Sequence, residues 1–198
     1  TGAAAWRYAR SVRFPWRPVL LAAVMAFVFS FLGATAVSLL SKDAVRPLVL
    51  ALLVVMLGYT LAKKDFGALH RPRTIGRREL GIALAMGAVI GFYDGFFGPG
   101  TGSFLIFLFV RFFGLDFLRA SAASKVVNLA TNIAALAFFV PSGNVLLACA
   151  VPMAAANVAG SMAGTRLALR GGTPLIRKLF LALVLVLVAR MAWDTVAG

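Results

Sequence analysis

The sequence predicts an all-α polytopic transmembrane helix bundle with inverted repeats and a broken, re-entrant helix hairpin. Three observations indicate this fold class. Of the 198 residues, 62% are hydrophobic and 13% are charged, whereas a soluble domain carries about 25% charged residues. Several apolar stretches approach the roughly 20 residues that a spanning helix requires. One apolar stretch is far longer than a single span and holds a cluster of glycines.

The first elements are two apolar helices. Residues 1–8 resemble the end of a helix already under way, and we expect the sequence to be a fragment that lacks its N-terminal part. Predicted helix a covers Pro18–Leu40 and predicted helix b covers Pro47–Ala62. The polar stretch Lys63–Arg78 that follows carries six basic residues and is expected to be a loop.

The next apolar segment, Glu79–Phe113, is too long for one straight span. As a continuous helix it would measure about 50 Å at 1.5 Å per residue, against a hydrocarbon core of about 30 Å. Its middle, Asp94–Gly102, contains four glycines and a proline. Regular helix cannot continue through such a stretch, so we predict two half-helices around a break.

Three further helices complete the bundle. Predicted helix d runs from about Asp116 to Val140, and the turn Pro141–Asn144 follows it. Predicted helix e covers Val145–Leu169, and Gly171 with Gly172 forms the next turn. Predicted helix f begins at Pro174, near the first helical position, where proline is tolerated, and reaches Val196.

The distribution of charge favours a hairpin for the broken segment. If this segment enters and leaves on one side, sixteen of the twenty Lys and Arg residues lie on the cytoplasmic side and three lie outside. A single crossing would divide them eleven to eight. Cytoplasmic loops are enriched in Lys and Arg, so the hairpin is favoured.

An internal repeat agrees with this topology. A shift of 127 residues places Gly33 on Gly160 and Pro47 on Pro174, so that helices a and b match helices e and f. The hairpin turns the two copies upside down, as in many secondary transporters. We therefore assign residues 1–62 to the first repeat, 63–78 to a cytoplasmic basic loop and 79–198 to the second repeat.

The break is the leading candidate for a substrate site. Broken helices persist in membranes only inside protein or beside a watery cavity. The second half-helix would start near Thr101 or Ser103, and its free N–H groups and positive dipole end suit an anion. Gly98, Gly100 and Gly102 would allow close approach to the backbone. The alternative is a kink used only for packing.

Lys125 in helix d is a second candidate. An intramembrane lysine is costly and suggests function. Asn128 and Asn132 lie three and seven residues further on, so all three share one helix face that offers a positive charge and two amides. The alternative is that Lys125 reaches the membrane interface.

Other polar or small residues leave several interpretations open. Asp94 could pair with Lys125, bind a proton as part of ion coupling, or cap the break. Asn157 could line the same cavity or bond between helices. The Gly160–Gly164 motif is explained by helix packing.

Several function classes are disfavoured. The net charge of +14 is explained by basic loops rather than by nucleic-acid binding. Cys149 and His70 have no second Cys or His near them, so neither a disulfide nor a metal site is expected. The scattered acids offer no paired carboxylates or nucleophile with a base. We expect no enzyme activity and no cofactor.

A specific motif links the chain to a known family. The segment Gly91–Phe104, GFYDGFFGPGTGSF, closely resembles the TauE/SafE sulfite exporter family of bacterial permeases, and Ala123–Asn128, ASKVVN, resembles that family's second half. The family's first half opens with its own glycine-rich segment, which is absent here. By motif position, the resemblance carries substrate contact to these residues: Asp94, Gly98, Pro99, Gly100, Thr101 and Lys125.

The resemblance implies a multi-pass protein of the bacterial inner membrane that exports sulfite, sulfonates or related organosulfur anions. We therefore expect a secondary permease for a small anion, with the bilayer and the anion as partners and protons as a candidate coupling ion. One rival is an uncoupled anion channel of the same fold. The other rival is a membrane assembly protein without transport activity. The sequence predicts no oligomeric state.

Overall fold

The structure, a computed structural model, describes residues 1–37, 54, 57–58, 74–98, 100–141 and 147–196. Several predictions fall outside these residues. They are most of predicted helix b and of the basic loop, Pro99, and most of the Pro141–Asn144 turn.

Every regular element in the described part of the chain is helical. The helices are α1 (Gly2–Ser11), α2 (Trp16–Val37), α3 (Arg77–Phe96), α4 (Thr101–Phe113), α5 (Phe117–Phe139) and α6 (Leu147–Val196). Four segments are long and apolar enough to span a bilayer: Trp16–Ala36, Arg77–Phe96, Phe117–Phe139 and Ala148–Ala189. The predicted all-α polytopic bundle is confirmed. The inverted repeats and the domain boundaries stay predictions.

The predicted break is confirmed, but it is narrower than Asp94–Gly102. Helix α3 ends at Phe96 and α4 begins at Thr101, so Asp94 lies in the last turn of α3. Gly98 and Gly100 adopt φ values of 86° and 84°, which belong to the left-handed region that glycine enters without penalty. Helix α3 has 20 residues, which give about 30 Å, and α4 has 13. The re-entrant hairpin of these two helices stays a prediction.

Polar groups fix where α3 and α5 begin. The Gly76 N–H donates to the Glu79 carboxylate at 2.9 Å, which holds the first turn of α3. Asp116 caps α5 by accepting the Arg119 N–H at 2.8 Å, and the two side chains form an ion pair. The Arg119 Nε also donates to the Arg13 carbonyl at 3.2 Å, which joins the segment before α2 to the start of α5.

Helices α2 and α3 pack backbone to backbone through small residues. A Cβ added to Gly91 would lie 2.5 Å from the Cα of Ala26, and one added to Gly95 would lie 2.0 Å from the Ser30 carbonyl oxygen. Gly87 meets Ala22 in the same way, one turn earlier. Small residues permit such close approach between membrane helices.

Helix α5 is the centre of the bundle, since it contacts α1, α2, α3, α4 and α6. Helix α6 contains a non-helical residue, Gly172, with φ 60° and ψ −161°. The predicted turn at Gly171–Gly172 is thus a bend that divides α6 into two arms, residues 147–171 and 173–196.

The predicted packing of the Gly160–Gly164 motif finds no partner in the described part of the chain. Apart from the adjacent backbone of α6 itself, no described atom lies within 4 Å of a Cβ added to either glycine. The surrounding residues 151–160 are all exposed. The close small-residue contact occurs between α2 and α3 instead.

Candidate anion site at the helix break

The start of α4 is a compact, internally bonded turn. The Thr101 hydroxyl donates to the Gly98 carbonyl at 2.6 Å, and the Ser103 N–H donates to the Gly100 carbonyl at 2.8 Å. Gly100 occupies the N-cap position in the left-handed conformation. The sequence folds this way because glycine alone adopts positive φ at little cost.

A cavity of about 420 Å³ opens directly at this turn. Binding pockets of roughly 300–1,000 Å³ are typical of small ligands. Its wall comes from α1, the start of α4, α5 and both arms of α6. The lining residues are Tyr8, Gly100, Gly102, Ser103, Ile106, Ser121, Ser124, Lys125, Asn128, Gly164, Ala168, Ile176, Leu179, Phe180, Leu183 and Leu187.

One side of the cavity presents polar groups that lack partners among the described residues. Ser103 is 3% exposed, and its Oγ has no hydrogen-bond partner in the described part of the chain. The Oδ1 atom of Asn128 is likewise buried with no partner among these residues. Unsatisfied buried polar atoms are rare and costly in native proteins. These two atoms therefore indicate a place where a ligand or water completes the hydrogen bonding.

Lys125 brings the only basic side chain among the lining residues. It is half-buried, and no carboxylate of the described chain lies within 4 Å of it. The ion pair between Asp94 and Lys125 that the sequence left open is thus not formed. An unpaired ammonium beside a helix N-terminus makes this side of the cavity electropositive.

The opposite side of the cavity is apolar. Helix α6 supplies Leu and Ile side chains together with Ala168 and Phe180, and Phe180 packs at 5.0 Å between ring centroids against Phe117 of α5. Tyr8, which is buried, closes the cavity from α1 and lies in the same wall as Ser121. The cavity therefore has a charged face and a hydrocarbon face.

The structure brings together half of the predicted site residues. Those in the cavity wall are Gly100, Gly102, Ser103, Lys125 and Asn128. Gly98 and Thr101 are not in the wall; they form the turn behind it. Pro99 lies outside the described residues.

The two remaining predicted residues point elsewhere. Asp94 is half-buried at the end of α3, where its Oδ1 lies 4.0 Å from the position of a Cβ added to Gly98. Lys125, Asn128 and Asn132 were predicted to share one helix face at the site, but Asn132 is not in the cavity wall. Asn132 is exposed, and its amide donates to the Thr1 hydroxyl at 3.1 Å, because α1 covers that part of α5.

Asn157, which the sequence placed either in the cavity or between helices, is not in the cavity wall. Its Oδ1 accepts from the Thr1 nitrogen at 3.4 Å.

Sequence reasoning missed three polar lining residues. Tyr8 arrives from a distant helix, so no local pattern reveals it. Ser121 and Ser124 precede Lys125 and Asn128 by four residues each. Residues four apart share a helix face, so this periodicity could have identified both serines.

Comparison with known proteins gives one matching family and several relatives. The family described as "Sulfite exporter TauE/SafE" matches residues 1–191. The chain is 36% identical over 172 residues to the "Probable membrane transporter protein YfcA" of Escherichia coli strain K12. This match covers 86% of the chain and 63% of YfcA, so the chain spans less than two thirds of that relative.

Two further relatives carry similar names. The "Probable membrane transporter protein ORF9" of Sinorhizobium sp is 29% identical over 194 residues, which are 98% of this chain and 74% of that protein. A "Probable membrane transporter protein" of Haemophilus influenzae is 30% identical over 171 residues, with 84% and 66% covered. No solved structure matches the chain. The match over residues 1–191 shows that this multi-pass membrane protein belongs to the TauE/SafE sulfite exporter family.

Proposed function

We propose that the chain forms the substrate pathway of a permease that exports a small organosulfur anion across the bacterial inner membrane. The observation that carries this proposal is the buried, unpartnered Ser103 hydroxyl, which shares a cavity wall with Lys125. The described lining residues include no carboxylate, thiol or histidine, and the proposal contains no catalytic step.

The charged face suits an anion for two reasons. The positive dipole end of a helix attracts negative charge, and α4 begins at this face, although the N–H groups of Thr101 and Ser103 are already bonded to Gly98 and Gly100. A lysine inside a membrane protein is expensive unless it has a partner, and an anion would supply the partner that Lys125 lacks among the described residues. The Ser103 hydroxyl would donate to an anion oxygen.

The apolar face favours an organic sulfonate over inorganic sulfite. A sulfonate with a short carbon chain can place its oxygens toward Lys125 and Ser103 while its carbon chain contacts α6. Sulfite has no such group, and it would leave the Leu and Phe180 side chains facing water. Burial of apolar ligand surface against these residues would add about 25 cal/mol per Å².

The position of the site agrees with transport by a broken-helix mechanism. Transporter sites commonly lie at discontinuous helices, with helix N-termini directed at anionic groups of the substrate. The export direction rests on the family description alone. The inner-membrane location is an expectation from the sequence resemblance to bacterial permeases.

Transport by the protein in liposomes tests the proposal. We expect saturable flux of labelled 2-hydroxyethanesulfonate, with a lower KM than for labelled sulfite at alkaline pH. Lys125→Leu should reduce kcat/KM by about tenfold or more, since it removes an interaction worth at least ~1.4 kcal/mol. Arg111→Leu is the matched control, because Arg111 is exposed at the far end of α4.

Three results would contradict the proposal. An absence of flux for every sulfur oxyanion would favour a protein without transport activity. Flux that never saturates would favour a channel. Equal flux in the wild type and in Lys125→Leu would show that the anion does not pass the described cavity.

A further inference from the structure

Two buried atoms in the cavity wall need different partners from a ligand. The Ser103 hydroxyl can donate a proton, whereas the Oδ1 atom of Asn128 is a carbonyl oxygen and can only accept one. Both atoms are buried without a partner among the described residues, so they do not bond to each other. An ionised sulfonate group offers only lone pairs. It can therefore satisfy Ser103 and Lys125, but it leaves the Asn128 oxygen without a donor.

The unsatisfied oxygen belongs to a side chain close to the positive side of the cavity. Asn128 follows Lys125 by three residues on α5, and side chains with this spacing are neighbours, about 5–6 Å apart at their Cβ atoms. The Nδ2 atom of the same amide lies 3.5 Å from the position of a Cβ added to Gly102, the residue before Ser103. One ligand of a few atoms can therefore reach Lys125, Ser103 and Asn128 together.

The Asn128 amide can turn its oxygen toward such a ligand. Asn128 is half-buried and lines the cavity, and the terminal torsion of an asparagine side chain is soft. A small rotation about this torsion lets Oδ1 meet a donor in the cavity. An acceptor that stays unmet in the bound complex lowers affinity, because it has lost its contact with water.

A neighbouring serine in the cavity wall is the rival acceptor. The Ser124 hydroxyl donates to the Ala120 carbonyl at 2.7 Å and thus already has one hydrogen bond. The Asn128 oxygen has none among the described residues. A donor on the ligand therefore relieves a larger cost at Asn128 than at Ser124.

We propose that Asn128 selects anions that carry a neutral hydrogen-bond donor close to the anionic group, and that the fitting chemistry is a 2-hydroxyalkanesulfonate. The sulfonate contacts Lys125 and Ser103, the hydroxyl donates to the Asn128 Oδ1, and the carbon atoms between them face the apolar side of the cavity. This inference names the substrate class of the proposed permease and rests on that function for its anion.

Charge decides between a hydroxyl and an amino group as the donor. An amino group at the same position is protonated at neutral pH, so the ligand would carry no net charge. Its ammonium would also lie within one helical turn of the Lys125 ammonium, and like charges repel at that spacing. A hydroxyl supplies the donor without this charge. We therefore expect 2-hydroxyethanesulfonate to bind more tightly than 2-aminoethanesulfonate.

Binding of three ligands of similar size to the wild type tests the selection without any variant. Isothermal titration calorimetry of the protein in lipid nanodiscs compares 2-hydroxyethanesulfonate with propane-1-sulfonate, in which a methyl group replaces the hydroxyl, and with 2-aminoethanesulfonate. We expect the hydroxylated ligand to bind about tenfold more tightly than propane-1-sulfonate, or ~1.4 kcal/mol. A site that hydrogen-bonds a ligand hydroxyl rejects the analogue that lacks it.

The ratio of the two affinities, rather than either affinity alone, separates a contact from a structural role. Asn128→Leu should remove the preference for the hydroxyl, because an apolar side chain of similar length replaces the acceptor. Ser103→Ala should weaken both ligands alike and keep the ratio, since Ser103 contacts the sulfonate. Asn132→Leu is the matched control on the same helix and should keep both affinities, because Asn132 is not in the cavity wall.

The remaining outcomes overturn the inference. A wild type that binds propane-1-sulfonate as tightly as 2-hydroxyethanesulfonate would show that water satisfies Asn128, and it would leave the proposed permease intact. Loss of the preference in Ser124→Ala or Ser103→Ala, but not in Asn128→Leu, would assign the hydroxyl to a serine. Tighter binding of 2-aminoethanesulfonate than of the hydroxylated ligand would make the donor cationic. A wild type that binds none of the three ligands would refute both the selection and the proposed function.

Discussion

The Nδ2 atom of Asn128 on α5 lies 3.5 Å from the position that a Cβ on Gly102 of α4 would occupy. This contact joins the glycine-rich turn to the helix that carries Lys125. Because Gly102 has no side chain, the polar end of the cavity stays open between the two helices.

A side chain at residue 102 should close the polar end of the cavity. We expect Gly102→Leu to fold and to insert into membranes, since Gly102 has no positive φ, but to raise the Kd for a sulfonate by tenfold or more. Isothermal titration calorimetry would measure this. Gly81→Leu is the control, because Gly81 is exposed with open space around it. Wild-type affinity in Gly102→Leu would show that the sulfonate does not occupy the polar end of the cavity beside residue 102.

Gly100 should be intolerant of substitution for a backbone reason. Its φ of 84° costs a non-glycine residue about 1–2 kcal/mol. Gly100→Ala should lower the free energy of unfolding by about that amount, measured by denaturant titration in mixed micelles. Gly81→Ala, in a regular and exposed part of α3, should be neutral or slightly stabilising. Equal stability of Gly100→Ala and wild type would contradict the left-handed conformation.

The contact between α2 and α3 should depend on Gly91. A methyl group there would lie 2.5 Å from the Ala26 Cα, so the helices must separate, and overpacking of this kind costs about 1–3 kcal/mol. Gly91→Ala should therefore lower thermal stability in detergent. Gly160→Ala meets open space and should not. If both variants melt with the wild type, the close packing described for α2 and α3 is wrong.

Two asparagines on the same helix should behave differently. Asn128 lines the cavity, whereas Asn132 is exposed and bonds to Thr1. Asn128→Ala should weaken sulfonate binding about tenfold, or ~1.4 kcal/mol. Asn132→Ala should change it less than twofold. Comparable losses in both variants would show that Asn132 shares a binding face with Asn128, as the sequence predicted.

Much of the architecture was predictable because it depends on local chemistry. Apolar length predicts the spanning helices, and four glycines with a proline predict the break between Phe96 and Thr101. The exact limits of the break were not predictable. They depend on which glycines take positive φ, and Gly98 and Gly100 do so, whereas Gly102 lies in the first turn of α4.

Tertiary contacts account for the parts that sequence reasoning missed. The spacing of Gly87, Gly91 and Gly95 was visible in the sequence, yet small residues four apart also occur at Gly160 and Gly164, where no described partner exists. Only the packing distinguishes the two motifs. Likewise, Asn132 has the spacing of a cavity residue. Its amide instead donates to the hydroxyl of Thr1, where α1 contacts α5.

Anomalous diffraction from the protein bound to 2-bromoethanesulfonate tests the central claim most directly, because bromine marks one end of the ligand. The account predicts a bromine peak inside the cavity, against Ile176 or Leu183 of α6, with the sulfonate oxygens at Ser103 and Lys125. Gly102→Leu crystals should lack the peak. A peak outside this cavity, or one with the sulfonate directed toward α6 and away from Lys125, would contradict the account.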